Sequence, residues 1–101
     1  MRKAMVAKTD KATRLTGEKL LAMYQKMLEV RRFEEKAIEL FGKNLIWGTI
    51  HPCIGQEAVA VGICSALEPS DYITSTHRGH GHCIAKGAEL GPMMAELLAR
   101  D

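Results

Sequence analysis

The chain has 101 residues, so it forms at most one small domain. Apolar residues make up 47% of the sequence, which excludes a chain that is disordered throughout and predicts a packed core. The 14 basic and 12 acidic side chains nearly balance, so charge alone does not indicate a nucleic-acid-binding protein. No apolar stretch approaches the ~20 residues that a bilayer-spanning helix needs, and no membrane is expected as a partner.

Basic residues crowd the N-terminus, where Asp10 is the one acidic residue among them: Arg2, Lys3, Lys8, Lys11 and Arg14. We interpret residues 1–15 as a flexible, solvated basic arm. A nucleic-acid-binding arm and a cleaved mitochondrial presequence are the alternatives.

The three cysteines, Cys53, Cys64 and Cys83, accompany no secretory signal. An odd number of cysteines without such a signal favours free thiols in a reducing compartment. We therefore expect a cytoplasmic protein, or a mitochondrial matrix protein if the source is eukaryotic.

Apolar residues recur every three or four positions after Thr16: Met23, Met27, Val30, Phe33, Ala37 and Phe41. This period predicts a long amphipathic helix over 17–41, with Thr16 as its N-cap and Gly42 as its stop. Arg31 and Arg32 belong to the charged part of this helix. We interpret them as a solvated face or a subunit contact, and not as a ligand clamp.

A loop is predicted over 43–55, because glycines and a proline interrupt it, and we expect Trp47 and Ile50 to turn inward. A buried helix is predicted over 56–67, where apolar residues occupy most sides. Glu57 stands at the N-terminus of this helix, where an acidic side chain suits the helix dipole.

The C-terminal part is predicted to contain a short strand over 72–75, a helix over 79–86 ended by Gly87, and a last helix over 93–100 with Pro92 near its first turn. A lone strand cannot satisfy its own backbone donors and acceptors. The strand must therefore pair with something absent from this chain. We predict an α/β fold class, mostly helical here with one short strand. We expect the chain to be a fragment of a larger α/β domain.

The segment 75–82, STHRGHGH, concentrates one arginine, three histidines and two glycines. Glycine lets backbone come close to a ligand, and arginine presents a planar fork of donors. That combination suits clustered anionic oxygens, above all a diphosphate. A strand that ends in a basic turn and enters a helix is also a good geometry for binding phosphate.

Several motifs follow one another in a familiar order: MLEVRRFEE at 27–35, GTIHPCIGQEA at 48–58, DYI at 71–73, HRGHG at 77–81 and MAELL at 94–98. In this ordered series the chain resembles the N-terminal third of the alpha subunit of thiamine-diphosphate-dependent 2-oxo acid dehydrogenases, of the pyruvate and acetoin dehydrogenase type. The resemblance implies that residues 16–101 are an incomplete, N-terminal portion of a thiamine-diphosphate-binding fold.

The resemblance also implies a site for the cofactor diphosphate. His51 matches the loop histidine that approaches the diphosphate in this family. His77 and Arg78 match the pair, at the end of the first strand, that contacts the same group. Many relatives have tyrosine where this chain has His77, and both side chains donate hydrogen bonds. The resemblance assigns no catalytic residue to this chain.

The family holds Mg²⁺ beside the diphosphate with a Gly-Asp-Gly motif and a later asparagine, which have no counterpart in residues 1–101. Metal ligands are therefore expected outside this chain, and the chain alone is expected to bind thiamine diphosphate weakly or not at all. A beta subunit in an α2β2 assembly and a lipoyl acyltransferase core are the implied partners. The implied reaction cleaves acetoin or oxidatively decarboxylates a 2-oxo acid such as pyruvate, and passes the acyl group to lipoamide.

Two other functions remain open from the residues themselves. The helical pattern also suits a non-catalytic module that binds a partner subunit. The histidines and cysteines at 51–53 and 77–83 also suit a zinc site, although no Cys-x-x-Cys or His-x-x-x-His spacing occurs. His80 and His82 are interpreted as packing or supporting residues, and not as proton carriers.

Overall fold

The computed structural model describes residues 15–100. In this part the chain forms four helices: α1 (Gly17–Gly42), α2 (Glu57–Cys64), α3 (His80–Lys86) and α4 (Leu90–Leu97). The basic arm expected over residues 1–15 lies outside the described residues, apart from Leu15.

Helix α1 is the scaffold against which the other three helices pack. The Oγ1 atom of Thr16 accepts a hydrogen bond from the Lys19 N–H at 3.1 Å, which confirms Thr16 as the N-cap. The helix ends at Gly42, and Asn44 then takes a left-handed φ of 61° that turns the chain away. One stripe of α1 is buried: Val30, Phe33, Glu34 and Ala37.

The shorter helices lie close to their predicted positions. Helix α2 ends at Cys64, three residues before the prediction, because the chain passes into turns there. Helix α3 ends at Gly87, whose φ of 115° confirms it as the stop. Helix α4 begins at Leu90, three residues before the prediction, with Pro92 in its first turn, where a missing N–H costs no helical hydrogen bond.

The core lies where α1, α2 and α3 meet. Its buried side chains are listed here: Val30, Phe33, Cys53, Val61 and Ile84. Methionines of α1 and α4 cover the edge of this cluster. The loop 43–56 enters the core at Cys53, so the position of that loop is fixed by packing as well as by hydrogen bonds.

Two predictions about the loops were wrong. Residues 72–75 have no strand partner among the described residues, and Tyr72 is 99% exposed, so the predicted short strand does not form there. The described part is all-helical in its regular structure, because a strand needs a neighbour to complete its hydrogen bonds. Trp47 is 88% exposed instead of turned inward, and the adjacent Ile46 is buried in its place.

The helices were also compared with the length and hydropathy of membrane-spanning segments. None of the helices in residues 15–100 is both long enough and apolar enough to cross a bilayer.

Candidate functional site

The structure brings together two loops that are 26 residues apart in sequence. The rings of His51 and His77 meet edge to face, with centroids 4.6 Å apart and planes at 83°. Arg78 donates from Nε and Nη2 to the backbone carbonyl of Pro52, at 3.0 and 2.7 Å. The three residues singled out from the sequence therefore lie at one place on the surface of the molecule.

Arg78 carries a structural role that the sequence did not reveal. Two of its donors are used on the Pro52 carbonyl, which joins the loop after α1 to the loop before α3. Thr76 supports the turn, because its Oγ1 accepts from the Arg78 N–H at 3.3 Å. The guanidinium has five N–H donors and makes no other protein hydrogen bond among the described residues, so both Nη1 hydrogens and one Nη2 hydrogen are left for an anion.

Behind these loops, Glu34 of α1 is only 1% exposed and uses both carboxylate oxygens. Oε2 accepts from the Cys53 N–H at 2.6 Å, and Oε1 lies 2.6 Å from Nδ1 of His80. The Phe33 ring packs edge-on against the His80 ring, with centroids 5.5 Å apart. A buried carboxylate is tolerated when it is hydrogen-bonded and paired, and both conditions hold here.

The environment moves the pKa values of this pair apart. Burial raises the pKa of the Glu34 carboxyl, but the hydrogen bonds from His80 and Cys53 outweigh burial and leave that pKa below its usual value. The hydrogen bond to Glu34 raises the pKa of His80 against the opposing effect of burial, and the Glu96 charge on α4 adds to the rise. The two shifts widen the range of pH in which both groups of the pair are charged.

A second buried carboxylate, Glu57, fixes the same loop two residues further along. Its Oε1 accepts from Arg31 Nε at 2.8 Å, and its Oε2 accepts from the Gly55 N–H at 2.5 Å. Burial raises the pKa of Glu57, but these hydrogen bonds outweigh burial and hold the pKa below its usual value. Arg31 is half-exposed and pairs with this buried carboxylate, so it is more than a solvated side chain, and its role as a subunit contact stays a prediction. Arg32 is exposed and pairs with Glu35 on the helix surface.

The Cys53 thiol fills the contact between the loop and α3. A Cβ on Gly81 would lie only 2.7 Å from Cys53 Sγ, so glycine is needed for this close approach. Burial, with the Glu34 charge nearby, raises the pKa of Cys53 to about 11. A thiol with that pKa is protonated near neutral pH, which makes Cys53 a packing residue and not a nucleophile.

The sequence-based predictions did not identify Glu34 as a buried residue that supports these loops. The signal was present, because Glu34 falls on the stripe that begins at Val30 and continues through Phe33 and Ala37. An acidic residue on an apolar stripe indicates a buried partner. His80 was interpreted as a packing or supporting residue, but Glu34 was not identified as its partner.

The donor set suits an anion better than a cation. Residues 44–56 and 72–82 contain no aspartate or glutamate, and they present one arginine and four histidines. No group of three or more His, Cys, Asp or Glu side chains in residues 15–100 is arranged to hold a metal ion. Arginine and imidazole N–H groups without a competing carboxylate fit the oxygens of a diphosphate.

The sequence of this chain is similar to the sequences of known proteins. The alpha subunit of acetoin:2,6-dichlorophenolindophenol oxidoreductase from Bacillus subtilis (strain 168) is 59% identical over 86 residues, which are 85% of this chain and 26% of that protein. The subunit of the same name from Cupriavidus necator is 44% identical over 97 residues, covering 96% of this chain and 29% of that protein. The pyruvate dehydrogenase E1 component subunit alpha of Zymomonas mobilis is 49% identical over 84 residues, covering 82% of this chain and 24% of that protein.

The chain thus spans about a quarter of the length of the curated relatives that it matches. No solved structure matches it significantly. The family model of the dehydrogenase E1 component matches residues 25–101, a range that includes both loops of the site and all of α2, α3 and α4. The chain therefore belongs to the dehydrogenase E1 component family.

Proposed function

We propose that this chain is part of the alpha subunit of a thiamine-diphosphate-dependent dehydrogenase, acting on acetoin or on a 2-oxo acid such as pyruvate. In this role it works with a beta subunit, in an α2β2 assembly, and passes the acyl group to lipoamide on an acyltransferase core. The cytoplasm is the proposed location, or the mitochondrial matrix in a eukaryote. The family membership and the names of the relatives support this assignment.

The segment's own task is to anchor the cofactor diphosphate through His51, His77 and Arg78. The observation that carries this proposal is the meeting of His51 and His77 at 4.6 Å beside the guanidinium of Arg78. Three donor side chains converge from two loops that contain no carboxylate. A diphosphate carries several negative charges, and charge-assisted hydrogen bonds to it contribute about 1.5–3 kcal/mol each.

These residues bind and orient, and they do not carry out the bond cleavage. When bound, thiamine diphosphate supplies the carbanion chemistry that cleaves the bond next to the substrate carbonyl. Arg78 is proposed to bind with its remaining N–H donors while Nε and Nη2 hold the Pro52 carbonyl in place. His51 and His77 each add an imidazole donor. Mg²⁺ is proposed to be held by residues outside this chain, because the two loops lack the carboxylate ligands that hard cations favour.

Substitution of Arg78 tests the site in the complete alpha subunit assembled with its beta subunit. Arg78→Ala should weaken the binding of thiamine diphosphate about 10- to 150-fold, the equivalent of one charge-assisted hydrogen bond. Calorimetric titration of the apo-complex in the presence of Mg²⁺ measures the change. Arg32→Ala is the matched control, because Arg32 is exposed and pairs only with Glu35, and it should keep the parental dissociation constant. Parental affinity in Arg78→Ala would remove Arg78 from the site.

His77 offers a paired substitution within the same experiment. His77→Tyr keeps a hydrogen-bond donor and should remain within about threefold of the parent, whereas His77→Phe removes the donor and should weaken binding by about 2- to 12-fold. Equal affinities for the two variants would show that the ring contact with His51, and not the donor, is what matters at this position.

The alternative, a non-catalytic module that binds a partner subunit, is favoured by one observation. Leu20, Leu21 and Tyr24 lie exposed on the first turns of α1. Such a module would still assemble with a beta subunit, but its complex would show no thiamine-dependent turnover and no change in cofactor binding on Arg78→Ala. The same titration therefore separates the two functions.

A further inference from the structure

The two loops of the proposed site are joined to one another and to α1 by a closed circuit of contacts. The backbone carbonyl of Pro52 accepts from Arg78. Two residues after Arg78, His80 pairs with Glu34. Glu34 in turn accepts from the N–H of Cys53, the residue that follows Pro52. Every link is a hydrogen bond of 2.6–3.0 Å or a stretch of at most two residues. A displacement at any link is therefore transmitted around the whole circuit.

Glu34 is the member of this circuit that belongs to a long helix. It lies near the middle of the 26 residues of α1, whereas the other members belong to loops or to the first residue of α3. Its two partners flank the proposed ligands, because Cys53 follows His51 by two residues and His80 follows Arg78 by two residues. Two residues of extended chain span at most about 7 Å, so the positions of His51 and Arg78 are set by the positions of these partners.

The choice of a charged residue here needs a reason beyond packing. An apolar side chain would fill the same volume without fixing the distance between the two loops, and burying a carboxylate gains little stability for its desolvation cost. The carboxylate instead accepts from two directions at 2.6 Å, and the Phe33 ring limits the orientation of His80. Glu34 thus defines a distance, which is what a site that binds a ligand with several oxygens requires.

We propose that Glu34 is a positioning residue for the diphosphate site: through Cys53 and His80 it holds the loops of His51 and Arg78 at the separation that the ligand needs. This inference rests on the proposed function, since it concerns the same two loops. It adds to that function a residue of α1 that touches neither the ligand nor the proposed ligand-binding side chains.

The test uses two pairs of variants in the complete alpha–beta complex, with thiamine diphosphate and Mg²⁺ as the probe. Glu34→Leu and His80→Leu remove the link, and each should weaken cofactor binding at least tenfold. Glu34→Gln and His80→Asn should stay within threefold of the parent. The glutamine oxygen still accepts from Cys53 N–H, and its amide donates to a neutral His80, while an asparagine amide occupies the place of Nδ1.

A control separates positioning from general loss of stability. Ile84→Val lies in the core, touches neither loop's hydrogen bonds and should lower the thermal midpoint of the apo-complex without changing cofactor affinity. If one of the two disruptive variants, Glu34→Leu or His80→Leu, does not fold, the other provides the result. A cofactor affinity that falls with the thermal midpoint alike in all variants, Ile84→Val included, would overturn the proposal.

A double substitution checks that Glu34 acts through the ligand-binding residues. In a His51→Ala background the loss caused by Glu34→Leu should be at least threefold smaller than in the parent, because part of what it positions is gone. Equal losses in the two backgrounds would overturn the proposal. If Glu34→Leu keeps the parental affinity while Arg78→Ala loses it, positioning by Glu34 is wrong and the site stands. If Arg78→Ala and His51→Ala also keep the parental affinity, the diphosphate site itself is wrong and the role of Glu34 falls with it.

Discussion

Glu34 and Glu57 both hold the C-terminal part of the loop after α1. Glu34 accepts from the Cys53 N–H, and Glu57 accepts from the Gly55 N–H two residues later. Each carboxylate also has a cationic partner, His80 for Glu34 and Arg31 for Glu57. Both charges are nearly inaccessible, so removing either partner would leave a buried ion without compensation, which is far costlier than losing a surface pair.

The pH dependence of stability follows from the Glu34–His80 pair. The lowered pKa of Glu34 gives stability that is present above the unfolded value of 4.5 and is lost as pH falls through the folded pKa. The raised pKa of His80 gives stability that is complete below the unfolded value of 6.5 and is lost as pH rises through the folded pKa. The pair should therefore stabilise the fold most between about pH 4.5 and 6.5.

His80→Asn isolates this effect, because asparagine donates to Glu34 at every pH but carries no charge. The parent complex should exceed the variant in free energy of unfolding by roughly 1 kcal/mol at pH 5.5, and by clearly less at pH 9. Urea denaturation at the two values measures this difference. The Glu96 charge works in the same direction, and the Cys53 thiol, with its pKa of about 11, stays neutral. A difference independent of pH would mean that folding leaves the pKa of His80 unchanged.

Sequence reasoning singled out the proposed ligand-binding side chains but not the residues that support them. His51, His77 and Arg78 were identified by residue type and motif, and the structure brings them together. The bond from Arg78 to Pro52 was missed because a backbone carbonyl has no signature in a sequence. The Glu34–His80 pair was missed because it joins residues 46 positions apart, beyond the reach of any local pattern.

At the scale of whole elements, helix ends were predicted well where one residue decides them. Thr16 caps α1, and Gly87 ends α3 in the left-handed conformation. The strand over 72–75 was wrong because strand formation depends on a partner, and the described residues offer none. The prediction that Trp47 turns inward was wrong because side-chain burial in a loop depends on the neighbours that the loop meets, which composition does not reveal.

Two glycines in or next to helices should respond oppositely to alanine. Gly87→Ala should destabilise the protein by about 1–2 kcal/mol, because its φ of 115° is strained for any residue with a Cβ. Gly62→Ala in α2 should stabilise it by about 0.5–1 kcal/mol, because the new methyl group meets nothing within 4 Å and alanine favours the helix. Chemical denaturation of the two variants checks both signs. Equal destabilisation would mean that Gly62 lies against a surface of the assembly.

At the scale of the whole molecule, large apolar side chains remain exposed on the described residues, among them Leu21, Trp47, Ile63 and Tyr72. The core is therefore small for the apolar content of the sequence, and much of that content is free to contact other protein.

The isolated 101-residue chain should accordingly bind thiamine diphosphate weakly or not at all and show no dehydrogenase turnover. Three donor side chains without oxygen ligands for Mg²⁺ provide only part of a cofactor site. Calorimetric titration of the purified chain with cofactor and Mg²⁺ checks this, with the complete alpha–beta complex as the positive control. A micromolar dissociation constant for the isolated chain would show that these donors suffice.

The contact of Cys53 with Gly81 also governs where the loop of His51 lies. A Cβ on Gly81 would lie 3.4 Å from the Ala60 methyl group and from Val30, so three helices and a loop converge on a space that only small groups can fill. One missing methyl group thus lets the loop seat against the helices, and adding it would push the loop outward.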